Sequence, residues 1–151
     1  MTRPCSFLTR RPLLGAAALL GTLFADGCGS KAEEQPLVPS VPVNILINLT
    51  NQQYAALRTD NGAVRLAGGV KGIIVVRQNA STYLAFERNC PYRPFDACSR
   101  VNFESSPALF LRDSCCTSQF DLRGQATGGP AARPLRQYST SLQGTQLSIV
   151  N

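Results

Sequence analysis

Four of the six cysteines in the chain lie in two short segments that are separated by sixteen residues. The first segment reads C-P-Y-R-P-F-D-A-C and runs from Cys90 to Cys98, and the second reads C-C-T-S-Q-F-D and runs from Cys115 to Asp121. Proline, serine, threonine and aspartate in these segments are typical of loops. The rest of the sequence is therefore interpreted as a scaffold that holds two cysteine-bearing loops together.

The scaffold has the pattern of an all-β domain, since ten prolines and twelve glycines leave few long helical patterns. Apolar and polar residues alternate along residues 43–50, which predicts a strand. Residues 73–77 are apolar and mostly β-branched, which predicts a buried strand, and residues 53–57 form a helical turn or loop. About nine short strands in all favour a small sandwich or barrel. Further strands are predicted at residues 64–66, 82–87, 109–112, 120–122, 138–142 and 146–150.

The two cysteine segments resemble the cluster-binding loops of the Rieske [2Fe–2S] protein family. The family pattern is C-x-H in the first loop and C-x-C-H-G-S-x-F-D in the second, and its F-D aligns with Phe120 and Asp121. This alignment places Ser118 on the family's serine and Thr117 on its glycine. The four ligand positions of the family then fall on Cys90, Tyr92, Asp113 and Cys116.

A second part of the resemblance follows the cysteine segments. Gly129, Pro130 and Ala131, with R-P-L and a tyrosine after them, are similar to the family's Pro loop, which covers the cluster. The resemblance extends over residues 43–151 and assigns them to one Rieske-like domain. It implies a small antiparallel β sandwich or barrel that carries a two-loop subdomain, the former cluster-binding part.

The donor set at the four ligand positions differs from the one that the family's cofactor requires. A Rieske centre holds one iron by two cysteines and the other iron by two histidines, and the chain contains no histidine. Only Cys90 keeps its ligand identity. We therefore expect no cofactor and no metal at these positions. The alternative is a [2Fe–2S] electron-transfer protein in which the cysteines provide a non-standard, Cys-rich ligation.

The four cysteines are predicted to form two disulfides, because closely placed cysteines are oxidised outside the cytoplasm. The residues alone allow three pairings, of which the one with a vicinal Cys115–Cys116 ring is the most strained. The resemblance implies Cys98–Cys115, on the structural disulfide positions of the family, and leaves Cys90 and Cys116 to pair with each other. A zinc site and redox-active thiol–disulfide exchange stay open as alternatives, although the chain has no C-x-x-C motif.

The first 27 residues have the organisation of an export signal. Three arginines form a basic region, and the apolar run at residues 13–24 is too short to span a bilayer. The following A-D-G-C resembles a lipobox, which predicts lipidation of Cys28. Residues 1–27 are thus assigned as a signal peptide of the lipoprotein type, and the paired Arg10 and Arg11 also resemble a twin-arginine signal.

Residues 28–42 contain three prolines among lysine, glutamate and serine residues. This composition predicts an extended, Pro-rich linker between the lipid anchor and the domain. The predicted location is therefore outside the cytoplasm, as a periplasmic or cell-surface lipoprotein attached to a membrane through its lipid.

Composition also narrows the classes of function. The formal net charge is +6, but the charges are scattered and form no Lys/Arg run, which argues against a nucleic-acid partner. Without histidine, no catalytic motif is recognisable, so we predict no enzyme activity; a redox-active form would be an electron carrier or an oxidoreductase component. The predicted function is a disulfide-stabilised structural or interaction role, with an envelope redox or structural protein as partner.

Overall fold

The computed structural model describes residues 37–151. The predicted signal peptide, the lipidation site at Cys28 and the first part of the predicted linker lie outside the described residues. Within residues 37–151, no helix is both long and apolar enough to cross a membrane.

The described residues form an all-β domain of two antiparallel sheets, which confirms the predicted fold class. The larger sheet is curled and has the strand order β1-β10-β9-β4-β3-β2, and the smaller sheet has the order β5-β6-β7-β8. One short 3₁₀ helix, Gln52–Arg58, follows β1. The strands are β1 Asn44–Asn48, β2 Ala63–Leu66, β3 Ile73–Asn79, β4 Thr82–Glu87, β5 Val101–Asn102, β6 Leu111–Asp113, β7 Gln119–Phe120, β8 Ala126–Gly128, β9 Gln137–Gln143 and β10 Gln146–Val150.

Strand β3 is buried on both faces, as its continuous apolar sequence predicts. Successive side chains of a strand point to opposite faces of the sheet. Ile74 and Val76 therefore belong to a first apolar cluster, and Ile73 and Val75 belong to a second one. The first cluster also contains Val101, Leu111 and Phe120 of the smaller sheet, so it joins the two sheets.

The small sheet differs from its sequence prediction. Strands β5 and β8 were not predicted, because two or three residues are too short for a hydrophobic period to be visible. The strand predicted from residue 109 begins at Leu111 instead. Leu109 and Phe110 precede it and are exposed, with 82% and 40% of their surfaces accessible. Apolar character alone therefore placed the start of β6 two residues too early.

The last residue of β4, Glu87, fixes the start of the first cysteine loop. Its carboxylate is fully buried and accepts four hydrogen bonds of 2.7–3.0 Å, from the backbone N–H groups of Val70, Lys71 and Asn89 and from the hydroxyl of Tyr138. A buried carboxylate is stable when its oxygens are paired in this way. The contact therefore links the turn before β3, strand β9 and the first loop at one point.

Candidate functional site

The two cysteine loops meet at one end of the small sheet, and together with the Pro loop they form the tip of the domain. Residues 88–100 form the first loop, which follows β4, and residues 114–118 form the second loop, which connects β6 to β7. Cys98 and Cys115 are joined by a disulfide, so the structure contains the bridge that the resemblance implied. This bond ties the two loops together on the outer side of the tip, where Cys98 is exposed.

Cys90 and Cys116 face each other between the same loops, but they are free thiols. Their Sγ atoms are 3.6 Å apart, a distance at which the two sulfurs are in contact without being bonded. The second predicted bridge is therefore not formed in this structure and stays a prediction. Cys90 is fully buried, whereas Cys116 is half-buried and closer to solvent.

Asp113 completes the group. It ends β6, is fully buried, and its Oδ1 accepts a hydrogen bond from the backbone N–H of Cys115 at 2.8 Å. Its Oδ2 lies 3.4 Å from Cys116 Sγ. The sulfurs of Cys90 and Cys116 and a carboxylate oxygen of Asp113 all lie within 4.8 Å of one another. Three of the four ligand positions named from the sequence are thus brought together.

Tyr92, at the fourth position, has a different role. Its ring is partly buried and packs against the first apolar cluster, and the guanidinium of Arg93 lies 5.2 Å from the ring centroid. Its backbone N–H forms a hydrogen bond with the Cys90 sulfur, which favours the thiolate. The main chain at this position therefore acts on the thiol, while the side chain contributes packing.

Burial controls the protonation of Cys90. It raises the pKa of the Cys90 thiol far above its ordinary value, because the charged thiolate is disfavoured away from water, and Asp113 and Cys116 raise it further. The hydrogen bond from Tyr92 opposes this shift without cancelling it. In the absence of a bound cation, Cys90 is therefore a neutral thiol at physiological pH.

Two side chains at the tip were not given a role by the sequence. Ser118 Oγ lies 3.0 Å from Cys116 Sγ and accepts a hydrogen bond of 3.1 Å from the backbone N–H of Ala131, so it links the second loop to the Pro loop. Lys71 comes from the turn before β3 and bonds the backbone carbonyl of Asp96. Burial lowers the pKa of Lys71 below its ordinary value, although Asp113 and, more weakly, Cys90 oppose this shift. The alignment showed Ser118, but nothing in the spacing points to Lys71.

The Pro loop lies directly on the second cysteine loop. Gly129 has φ +81°, and a Cβ atom built on it would lie 2.6 Å from the Cα of Ser118. Only glycine allows this approach without displacing the backbone. Ala131 is buried in the first cluster, so the Pro loop is anchored on both sides. The segment predicted as the Pro loop, Gly129–Ala131, therefore lies against the second cysteine loop at Ser118.

The residues at the tip do not fit a [2Fe–2S] cluster of the Rieske type. Such a cluster needs four donors, two for each iron, and two of them must be imidazoles. The described residues supply a converging set of three donors, Cys90, Asp113 and Cys116. Two of these donors already touch each other at 3.6 Å. Cys98 and Cys115, which could have replaced the missing donors, are consumed by their disulfide.

No family model and no curated protein matches this sequence. Among solved structures, the chain is similar to the plasma membrane Rieske protein PetC3 of the cyanobacterium Synechocystis, with a TM-score of 0.53 and 21% identity over 71% of this chain and 98% of that chain. This likeness shows that the domain has a Rieske-like fold.

Two further similar structures are more distant. The ferredoxin of carbazole 1,9a-dioxygenase from Nocardioides aromaticivorans has a TM-score of 0.46 and 20% identity over 73% of this chain and 97% of that chain. The E. coli protein NirD has a TM-score of 0.44 and 12% identity over 75% of this chain and 98% of that chain.

Proposed function

We propose that this chain is an exported, lipid-anchored protein with a Rieske-like fold, that it carries no [2Fe–2S] cluster, and that it serves a structural or interaction role in the cell envelope. The observation that carries the proposal is the contact between Cys90 and Cys116, whose sulfurs lie 3.6 Å apart in the space between the two loops. In the Rieske pattern these two positions belong to ligands of different irons, and two sulfurs in contact cannot each hold a different iron. The chain also has no histidine to supply the remaining donors.

In this proposal, cross-links replace the cluster as the connection between the loops. Cys98–Cys115 is one such link. Cys90 and Cys116 form the second one when the two thiols lose two protons and two electrons to a protein disulfide oxidant of the envelope. The sulfurs then approach from 3.6 Å to about 2.0 Å. A bridge of this loop length stabilises a domain by about 3–4 kcal/mol.

The proposed partner is another envelope protein. Phe95 in the first loop is 73% exposed and Leu109 before β6 is 82% exposed. Single exposed apolar side chains are common on protein surfaces, but Phe95 lies within a loop that carries the thiol group. It supports an interaction role for the tip, with a redox or structural protein as the partner.

The test is to purify the protein from the envelope of expressing cells without reductant. We expect a colourless protein with no stoichiometric iron or acid-labile sulfide. After alkylation of the native protein, we expect a mass that shows two disulfides and no free thiol among Cys90, Cys98, Cys115 and Cys116. Stoichiometric iron with labile sulfide would refute the proposal and favour the [2Fe–2S] electron carrier.

The lipid anchor has its own test. In Cys28→Ala, we expect the protein to move from the membrane fraction to the soluble envelope fraction and to lose the mass of the acyl groups. Cys5→Ala is the matched control, because Cys5 lies before the apolar run of the leader. An unchanged membrane fraction in the Cys28 variant would contradict lipid anchoring at this residue.

A further inference from the structure

We infer that Cys90, Cys116 and Asp113, when the two thiols are reduced, bind a single divalent thiophilic cation of the Zn²⁺ type. The inference goes beyond the proposed function and rests on one part of it, the absence of a two-iron cluster from these positions. A mononuclear site needs fewer donors than a cluster, and none of them has to be an imidazole.

The distances within the group match a tetrahedral site. With Zn–S bonds of about 2.3 Å and a Zn–O bond of about 2.1 Å, two sulfur ligands lie about 3.8 Å apart and a sulfur and an oxygen ligand about 3.6 Å apart. The Sγ atoms of Cys90 and Cys116 are 3.6 Å apart. Cys116 Sγ and Asp113 Oδ2 are 3.4 Å apart. These two pairs therefore need to separate by only about 0.2 Å to accept one ion, and the third pair, Cys90 Sγ and a carboxylate oxygen of Asp113, lies within 4.8 Å.

Each donor also has a hydrogen-bond partner that suits a metal ligand. The backbone N–H of Tyr92 bonds Cys90 Sγ. The Ser118 hydroxyl lies 3.0 Å from Cys116 Sγ, so it can donate to this sulfur once the thiol proton has left. The backbone N–H of Cys115 holds Oδ1 of Asp113, which orients Oδ2 toward the sulfurs. Partners of this kind fix the geometry of ligands and stabilise their charge.

Charge favours an ion of this class. Two thiolates and one carboxylate carry three negative charges, which a buried group cannot hold without a cation. A divalent ion leaves one negative charge on the group. Since the donor set is two soft sulfurs and one oxygen, it selects zinc over magnesium or calcium.

The site has an opening. Cys116 is half-buried, so solvent reaches the group from its side, and a water molecule can take the fourth position of the tetrahedron. The ion and the Cys90–Cys116 disulfide use the same two sulfurs and exclude each other. Reduction of this bridge would therefore open the metal site, and oxidation would close it.

The first experiment uses the full-length protein with Cys90 and Cys116 reduced, as mass analysis shows. Co²⁺ is added as a spectroscopic probe and Zn²⁺ as the competitor. We expect one equivalent of Co²⁺ to give thiolate charge-transfer and tetrahedral ligand-field bands, and Zn²⁺ to abolish them. Absence of these bands would overturn the inference, and so would their persistence in Cys116→Ser.

Asp113→Asn is expected to weaken Zn²⁺ binding by at least tenfold while keeping the two sulfurs. Asp96→Asn is the matched control, because Asp96 lies beside the Cys98–Cys115 bridge and outside the three-donor group. Equal effects of the two substitutions would contradict the assignment of Asp113 as a ligand.

A second measurement needs no variant and therefore does not depend on the folding of one. Zn²⁺ should slow alkylation of Cys90 and Cys116 in the reduced wild-type protein at least tenfold, as mapped by peptide mass. Unchanged alkylation would refute the site. Iron and sulfide assays on the native protein keep the two proposals separate: a cluster refutes the proposed function, whereas a cluster-free protein without zinc protection refutes this inference alone.

Discussion

At the scale of the single residue, Thr117 shows the consequence of replacing a glycine. The resemblance aligns Thr117 with a glycine in the second loop, and its backbone has φ +63°. This left-handed conformation is unfavourable for a β-branched side chain, because the Cβ atom crowds the backbone. The second loop is therefore held in a conformation that its own sequence disfavours, by Asp113, Ser118 and the Pro loop around it.

We expect Thr117→Gly to raise the free energy of unfolding by about 0.5–1 kcal/mol, because relief of the left-handed strain exceeds the added entropy of the unfolded chain. Urea denaturation measures this change. Thr127→Gly is the control: Thr127 lies in strand β8 and has no positive φ, so glycine there should destabilise by a similar amount. A loss of stability in Thr117→Gly would contradict the strain argument.

A second residue-scale prediction concerns the buried Glu87. Tyr138→Phe removes the hydroxyl that donates to this carboxylate at 2.7 Å, and we expect a loss of about 1.5–3 kcal/mol of stability, as for hydrogen bonds to charged groups. Tyr83→Phe is the control, since Tyr83 is also buried and is not among the donors to Glu87. Equal losses in the two variants would show that packing, not the hydrogen bond, is responsible.

The same hydroxyl gives a pH dependence. Burial and the bond to Glu87 raise the pKa of Tyr138 above its ordinary value of 10.0. Above pH 10 the unfolded chain therefore loses this proton while the folded chain keeps it, so the free energy of unfolding must fall as pH rises. In Tyr138→Phe, we expect a shallower fall between pH 10 and 11. Identical slopes in both proteins would contradict the assigned shift.

At the scale of the element, the Pro loop and the second cysteine loop behave as one unit. Their contact is backbone against backbone at Gly129 and Ser118, and a hydrogen bond from Ala131 to Ser118 Oγ extends it. Because Ser118 also lies beside Cys116 Sγ, a displacement of the Pro loop would change the surroundings of this thiol.

Gly129→Ala should displace the Pro loop, since its Cβ would lie 2.6 Å from Ser118 Cα. We expect a loss of about 1–3 kcal/mol and faster labelling of Cys116 by a thiol reagent in the reduced protein. Gly128→Ala is a closely matched control, because its Cβ would meet only Gln119 Cβ at 4.0 Å. Unchanged labelling in Gly129→Ala would show that the loop does not shield the thiol.

At the scale of the whole molecule, the first apolar cluster joins the two sheets into one domain. It contains Ile74 and Phe86 from the large sheet, Leu111 and Phe120 from the small sheet, and Cys90 from the tip. A shared core of this kind predicts that the sheets and the thiol group unfold together.

Phe120→Ala should cost about 3–5 kcal/mol, because the side chain is fully buried in this cluster. Phe110→Ala is the control and should cost less, since Phe110 is 40% exposed. In the reduced form of each variant, far-ultraviolet circular dichroism and labelling of Cys90 should report the same denaturation midpoint. Separate midpoints would show that the tip opens independently of the large sheet.

The sequence by itself determined the β class, the buried character of β3 and the loss of the imidazole ligands. These features can be read locally. A strand is indicated by the pattern of apolar residues along it, and the absence of histidine is a property of the composition that folding does not change. Through the resemblance, it also indicated the Cys98–Cys115 bridge and three residues of the thiol group.

Only the tertiary structure decided how those residues meet. The 3.6 Å contact joins sulfurs that are 26 positions apart in the chain. Lys71 reaches the tip from the turn before β3, and the sequence around it does not predict this contact. The conformation of Thr117 and the extents of β5 and β8 also depend on packing, because short segments adopt the geometry that their neighbours impose. Distances between remote side chains are set by how two sheets share a core, and no local period encodes them.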